Sequence, residues 1–219
     1  MDANLSDIEV RILGCLIEKE LTTPEYYPLS LNALTNACNQ KSNREPIYSL
    51  EEEDVVRALD TLRFKQFVVV SADGGRVPKY RHLLAEKLGL VPMELAVICE
   101  LLVRGPQTVG ELRTRSERMQ PFPDLAAVEE VLRELMEREQ PLITRLARQP
   151  GRKESRYAHL FAGEPEPATY SPTPPPESSR LRVMAENDRI TQLEQEIASL
   201  RSEVAELRRI TQEFTAQFE

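Results

Sequence analysis

The chain contains one short segment twice. Lys79–Leu84 reads KYRHLL and Arg156–Phe161 reads RYAHLF, with tyrosine and histidine at matching places. Apolar residues upstream repeat with the same spacing: Val55, Leu59 and Leu62 in the first copy, and Val128, Leu132 and Leu135 in the second. A unit of about 80 residues that occurs twice predicts two related domains.

The repeat and a change in composition divide the 219 residues into four segments. We predict a first domain over residues 1–89 and a second over residues 90–162. A linker rich in proline follows over residues 163–179, and a heptad helix over residues 180–219. About a quarter of the chain therefore lies outside the repeated unit.

The first copy reads as three helices and a hairpin. Ser6 and Glu9 form a capping box at the start of a helix that we expect to run from Asp7 to Glu20. Ser30 caps a second helix, and a third begins in the acidic run at Glu51. The expected strands are Phe67–Ser71 and Val77–Leu83, joined by a turn at Asp73–Gly75.

The second copy repeats this order more compactly. Its expected elements are a helix from Met93 to Leu102, a helix capped by Thr108, a helix over Leu125–Glu137, and the strands Leu142–Leu146 and Ser155–Leu160. Three helices followed by a hairpin is the winged-helix order. The predicted fold class is mainly α with small β-hairpins, built from two tandem winged-helix domains.

Composition points to a soluble protein of the cytoplasm. No apolar stretch approaches the roughly 18 residues of a membrane span, and no basic segment with an apolar core opens the chain. Cys15, Cys38 and Cys99 lack the C-x-x-C spacing of thiolate metal sites and are expected to stay reduced. The net charge of −8 weighs against nucleic-acid binding, but residues 164–219 hold 11 of the 36 acidic residues and only 6 of the 28 basic ones.

Candidate DNA contacts of the first copy lie on and after its second helix. Leu31, Leu34 and Cys38 define the inner face, so carboxamides four residues apart line the outer face, where each can pair with an adenine edge. The loop that follows adds donors and cations almost without acids. The candidate set is Asn32, Asn36, Asn39, Gln40, Lys41, Asn43 and Arg44. The alternative is an ordinary solvated helix surface.

The second copy offers arginine instead of carboxamide. We expect its second helix and its hairpin tip to present cations to phosphates. The candidate set is Arg113, Thr114, Arg115, Arg118, Arg152 and Lys153. The alternative is that Glu111, Glu117 and Glu154 neutralise these charges and leave a mixed surface.

Few residues of the sequence suggest catalysis or metal binding. The chain has two histidines, His82 and His159, at equivalent places in the two copies, which favours a structural role over metal ligation. No phosphate-binding glycine loop, nucleophile elbow or H-E-x-x-H motif occurs. We therefore expect no enzyme activity, no catalytic residue, no metal and no cofactor.

One segment resembles a known family. Ala37–Pro46, which reads ACNQKSNREP, is its most specific part, and the likeness runs from about Leu5 to Phe161. The chain is similar to the YceH-like uncharacterised protein family of bacteria. The resemblance implies two winged-helix domains and a bacterial cytoplasmic setting, and it implies no activity.

The C-terminal segment has a heptad pattern. Its a and d positions are Val183, Ile190, Leu193, Ile197, Leu200, Val204 and Leu207. β-Branched residues at a with leucine at d favour a parallel two-stranded coiled coil, and hence a homodimer. The alternative is a helix that folds back on its own chain.

Two functions from different classes follow. The first is a dimeric DNA-binding or regulatory protein, which the basic residues favour. The second is a protein-protein adaptor similar to the tandem winged-helix subunits of chromosome-segregation complexes, which the acidic net charge favours. Duplex DNA or a protein is thus the expected partner besides a second copy of the chain, and we expect no membrane partner.

Overall fold

The computed structural model describes residues 4–71, 77–148 and 154–165. These residues belong to one compact unit. The predicted hairpin turn at Asp73–Gly75, the wing cations Arg152 and Lys153, and the coiled-coil residues from Val183 to Leu207 lie outside the described residues. Within the described part of the chain no helix is long and apolar enough to cross a membrane.

The described residues of the first copy form four helices and three short strands. Three of the helices and two of the strands are the predicted ones. The elements are α1 Asp7–Thr22, β1 Leu29–Ser30, α2 Leu31–Cys38, α3 Glu52–Phe64, β2 Val68–Val70, β3 Lys79–His82 and α4 Leu84–Leu88, with a 3-10 turn at Pro24–Tyr26.

Three helices and two strands are present in the part of the second copy that the structure describes. They are α5 Pro92–Arg104, α6 Val109–Ser116, α7 Leu125–Glu137, β4 Ile143–Arg145 and β5 Tyr157–His159. The described residues are therefore mainly helical with small antiparallel sheets, which confirms that part of the predicted class. The two tandem winged-helix domains stay a prediction. The predicted boundary between domains at residue 89 stays a prediction.

The helix starts agree with the capping signals. The Ser6 hydroxyl accepts from the Glu9 N–H and the Glu9 carboxylate accepts from the Ser6 N–H, at 3.3 and 2.7 Å. Thr108 and Glu111 form the same capping box on α6. Capping bonds span three residues, so the local sequence is enough to predict them.

Two elements of the first copy were not predicted. β1 pairs with β3, with Leu29 opposite Tyr80, so the sheet has three strands in the order β1-β3-β2. α4 buries Leu84 and ends at Gly89, which has a left-handed φ of 59°. In the second copy, a single β-bridge between Gln107 and Tyr157 takes the place of the β1–β3 pairing.

An equivalent ion pair joins the first and third helices in both copies. Glu9, near the start of α1, pairs with Lys65 just after α3 at 3.1 Å. Glu94, near the start of α5, pairs with Arg138 just after α7 at 2.8 Å. Both glutamates are buried, so each charge is compensated where water is excluded.

The two copies meet at α1 and α5. A Cβ atom added at Gly14 would lie 2.7 Å from Val103 Cγ1 and 3.0 Å from Leu102 Cβ, so only glycine permits this approach. The Cys99 thiol donates to the Gly14 carbonyl at 3.4 Å. Ile12, Leu13, Ile98 and Leu101 are fully buried in the same core.

The two histidines have different surroundings. His82 Nδ1 accepts from the Leu84 N–H at 3.2 Å, and His82 Nε2 lies 2.6 Å from Glu20 Oε2, so His82 links the end of β3 to α1. His159 Nδ1 has no hydrogen-bond partner within the described residues. Burial lowers the pKa of His159 to about 4. The matching positions thus do not give matching contacts.

Candidate functional site

The loop that follows α2 is fastened to both copies. Arg11 of α1 is buried, and its guanidinium donates to the carbonyls of Cys38 at 3.2 Å, Pro46 at 2.6 Å and Val103 at 3.4 Å. The Glu45 N–H also donates to the Val103 carbonyl, at 3.0 Å. The loop is therefore anchored at the C-terminal end of α5.

Asn39 closes this loop rather than facing outward. Its Nδ2 donates to the Leu50 carbonyl at 2.8 Å, and its Oδ1 accepts from the Leu50 N–H at 2.7 Å. This pair of bonds imitates a strand pair and joins the two ends of the loop. We therefore leave Asn39 out of the candidate interface.

Arg44 has no exposed side-chain surface in this structure. Its guanidinium donates to both Glu18 carboxylate oxygens, at 3.1 and 2.6 Å. The other donors are bound by Ala37 O, Asn43 O and Gln40 Oε1. A guanidinium has five N–H donors, and all five are in use. Contact with DNA phosphate is incompatible with this burial, so Arg44 is a structural residue.

Charge is balanced within the Arg44–Glu18 pair. Burial raises the pKa of Glu18, but the hydrogen bonds and charge of Arg44 outweigh burial, and the pKa lies below the ordinary value of a glutamate. Burial would lower the pKa of Arg44, and its bonds to Glu18 raise the pKa instead. Glu18 and Arg44 are therefore both charged at neutral pH.

A polar cleft of about 840 Å³ lies beside this pair. One wall is the C-terminal end of α1 with Lys19, Thr22 and Thr23, and another is the loop from Gln40 to Asn43. Arg118, which follows α6 in the second copy, completes it. We call this space the inter-copy cleft. It brings together residues that are about 100 positions apart in the sequence.

Two cations of the inter-copy cleft have no acidic partner. Lys41 and Arg118 are exposed, and neither makes an ion pair or hydrogen bond with any described residue. Lys19 lies 3.4 Å from Glu18 Oε2. Since Arg44 already neutralises Glu18, the positive charge of the cleft exceeds its negative charge.

The carboxamides of this loop are held in one orientation. Gln40 Oε1 accepts from Arg44 at 3.1 Å, and Asn43 Oδ1 accepts from Arg104. A guanidinium can only donate, so the contacting atom of each amide is its oxygen. Each amide therefore keeps its N–H groups, which have no acceptor among the described residues.

The remaining candidates of the first copy are exposed on α2. Asn36 Nδ2 donates to Asn32 Oδ1 at 3.1 Å, so these two side chains bind each other across one helical turn. Both lie on the outer face that the apolar spacing predicts, because Leu34 and Cys38 are buried.

The candidates of the second copy are partly engaged in contacts of their own. Arg113 is exposed and donates to the Pro123 carbonyl at 3.0 Å, while the exposed Thr114 donates to the Gly110 carbonyl at 3.0 Å. Arg115 donates to Gln107 Oε1 at 2.7 Å and lies 3.6 Å from Glu111. Arg118 is the candidate that the structure brings beside the first copy.

Sequence reasoning missed several residues that build the cleft. Lys19, Thr22 and Thr23 stand at the end of α1, where nothing local indicates a site. Arg104 binds Asn43, which is 61 residues away in the sequence, and Arg11 binds the Val103 carbonyl, which is 92 residues away. The sequence does contain one signal for Arg11, which is a charged residue between the apolar Val10 and Ile12.

Comparison with known proteins gives the family. A family model described as "Protein of unknown function, DUF480" matches residues 5–152, a range that contains the loop and Arg118. A UPF0502 protein of Geotalea uraniireducens is 73% identical over 219 residues, and the alignment covers all of both chains. The chain belongs to the UPF0502 family.

Other UPF0502 proteins are similar over the full length. One from Geotalea daltonii is 69% identical, with all of both chains covered. One from Citrifermentans bemidjiense is 48% identical over 225 aligned positions, again with full coverage. The resemblance found in the sequence is thereby confirmed. The names of these UPF0502 proteins state no activity, so function must be argued from the site.

Proposed function

We propose that this UPF0502 protein is a non-enzymatic cytoplasmic binding protein with two tandem winged-helix domains, and that it contacts the phosphates of duplex DNA. The order of three helices and an antiparallel hairpin, present twice, supports the winged-helix assignment. Lys41 and Arg118 carry the proposal, because they come from different copies, line one cleft and have no acidic partner in the part of the chain that the structure describes.

The third helix of each copy does not suit base reading. In three-helix DNA readers the third helix enters the major groove. Here α3 carries four acidic and two basic side chains, and α7 carries four acidic and one basic. Such helices repel the phosphates that flank the groove. The proposed contact is therefore with the DNA backbone and carries little sequence preference.

Duplex binding that depends on the cleft cations is the expected result. We expect a mixed-sequence 30-base-pair duplex to bind with an affinity that falls as salt rises, because each phosphate contact releases about 0.9 counterion. Replacing both Lys41 and Arg118 by glutamine should reduce the slope of log affinity against log salt by about two. Fluorescence anisotropy of a labelled duplex measures this slope.

Arg57→Gln is the matched control. Arg57 is also exposed, but it lies on acidic α3 and pairs with Glu53, so its loss should leave the slope unchanged. An equal loss of slope in the control would show that bulk charge, not the cleft, drives the interaction. Absence of saturable duplex binding at 50 mM salt would contradict the proposal altogether.

A protein-protein adaptor is the second candidate function. Two exposed apolar residues of α3 favour it: Phe64 is 91% exposed and Val56 is 38% exposed. They lie on the same face of the helix, about two turns apart. Acidic residues of α3 surround them, which fits a partner with an apolar patch edged by cations. Under this function Phe64→Ser lowers partner binding, whereas under DNA binding Phe64→Ser leaves the anisotropy titration unchanged.

Dimerisation through the heptad segment is part of the same proposal. The parallel coiled coil rests on the sequence pattern from Val183 to Leu207. We expect the full-length protein at micromolar concentration to have twice the 25.0 kDa chain mass in multi-angle light scattering. Placing aspartate at both Leu193 and Leu200 should give the monomer mass. A monomeric wild type would refute the dimer and leave the duplex proposal to its own test.

A further inference from the structure

We propose that the inter-copy cleft binds a sugar-phosphate unit. This goes beyond DNA binding, because the unit can be a free phosphorylated sugar as well as a segment of the DNA backbone. The cleft has three properties that suit this chemistry: cations for the phosphate, oriented donors for its oxygens, and hydroxyl groups for the sugar.

The cations suit one phosphate group. Lys19, Lys41 and Arg118 line the cleft from three different segments of the chain. Glu18 is the carboxylate among the described lining residues, and Arg44 binds both of its oxygens. Glu18 therefore offers little repulsion to an anion. Bonds from charged donors to phosphate oxygens are stronger than bonds between neutral groups.

The neutral hydrogen-bond donors of the cleft are already oriented before a ligand binds. Arg44 and Arg104 hold the amide oxygens of Gln40 and Asn43, so the amide nitrogens are left to donate elsewhere. The backbone N–H groups of Lys41, Ser42 and Asn43 likewise have no acceptor within the described residues. Asn43 has a left-handed φ of 58°, which is common where successive N–H groups turn toward an anion. A ligand thus meets donors that need no rearrangement.

The body of the ligand is expected to be a sugar. Thr22 and Thr23 donate their hydroxyl hydrogens to the carbonyls of Glu18 and Lys19, so their oxygens remain as acceptors for the hydroxyls of a free sugar phosphate. A deoxyribose within a DNA strand has no free hydroxyl, so a DNA backbone would be held through its phosphate. Ser42 adds a further hydroxyl at the exposed side. Among the described lining residues none is aromatic, so a nucleobase finds no ring to stack on. The recognised part is the sugar-phosphate and not the base.

Ribose 5-phosphate is the direct probe. Isothermal titration of the full-length protein should show saturable binding of ribose 5-phosphate, weaker binding of inorganic phosphate, and none of ribose. The amide resonances of Lys41, Ser42 and Asn43 should shift on titration in ¹H–¹⁵N spectra. Lys41→Gln and Arg118→Gln should each weaken binding about tenfold or more, since each removes a charged donor.

Arg113→Gln is the matched control for Arg118→Gln. Arg113 is an exposed arginine of α6, the helix that Arg118 follows, but it does not line the described cleft and it donates to the Pro123 carbonyl. Its loss should leave ribose 5-phosphate affinity unchanged. All three variants replace exposed side chains, so unchanged circular dichroism and melting temperature are expected and exclude unfolding as the cause.

Competition between the duplex and ribose 5-phosphate distinguishes a DNA backbone segment from a free sugar phosphate as the ligand. If the 30-base-pair duplex displaces ribose 5-phosphate, the cleft holds a unit of the DNA backbone; if ribose 5-phosphate binds and the duplex does not displace it, the ligand is a free sugar phosphate. Both outcomes support the cleft. Loss of duplex binding alone contradicts only the DNA proposal. No saturable ribose 5-phosphate binding, or equal binding by the Lys41 variant, overturns the cleft proposal.

Discussion

Replacing Glu18 by alanine is expected to lower the free energy of unfolding by about 3–5 kcal/mol. The reason is that Arg44, which has no exposed side-chain surface, keeps its charge and loses its counterion. Urea denaturation followed by circular dichroism at pH 7 measures the change. The matched control is Glu53→Ala, which breaks the exposed Glu53–Arg57 pair and should change stability by less than about 1 kcal/mol.

Two further measurements separate charge from lost packing. Adding Arg44→Met to Glu18→Ala should restore part of the stability, because the unpaired charge is then gone. The pKa of Glu18 is lower in the folded state, so its contribution is complete above about pH 5 and is lost as the pH falls through the folded-state pKa. The difference between wild type and Glu18→Ala should therefore shrink in acid. A difference that is constant with pH would argue for packing alone.

Replacing Gly14 by alanine should also destabilise the protein, by about 1–3 kcal/mol. The new methyl group would overlap Val103 Cγ1 at 2.7 Å and press on Leu102, so α1 and α5 must separate. A lower midpoint in urea denaturation is the expected observation. Since Val103 is β-branched and buried, it cannot rotate away.

Gly110→Ala provides a control of opposite sign. Nothing lies within 4 Å of a Cβ at Gly110, which is in the first turn of α6, so alanine should stabilise the protein by about 0.5–1 kcal/mol. If Gly14→Ala proved as stable as wild type, the close approach of α1 and α5 would be wrong.

The parts of the fold that sequence predicted are local ones. The capping box of Ser6, the cap at Thr108 and the bounds of α7 depend on residues three or four positions apart, and the structure has them as predicted. β1 was missed because its two residues are too few to show a period. Its pairing with β3 is a contact over about 50 residues.

The candidate site also depends on contacts between residues far apart in the sequence, which local patterns do not show. The sequence singles out the motif around Asn39 and Arg44, but its residue types alone do not tell phosphate contacts from internal ones. Arg44 finds Glu18 at a distance of 26 residues, and Asn43 finds Arg104 at 61. Among the described candidates, Lys41 and Arg118 are then the exposed cations with no hydrogen bond or ion pair to a described residue.

The fastening of the loop to α5 has a consequence for synthesis. Residues 39–50 leave the ribosome before Val103 and Arg104. The Val103 carbonyl accepts from the Glu45 N–H, and the Arg104 guanidinium donates to Asn43 Oδ1. At about 5–20 residues per second, that interval lasts roughly 3–10 s. During that time Arg11 and the apolar face of α1 have no α5 to pack against. The first copy therefore completes its packing only after α5 of the second copy has been made. A chain truncated after residue 89 would lack α5.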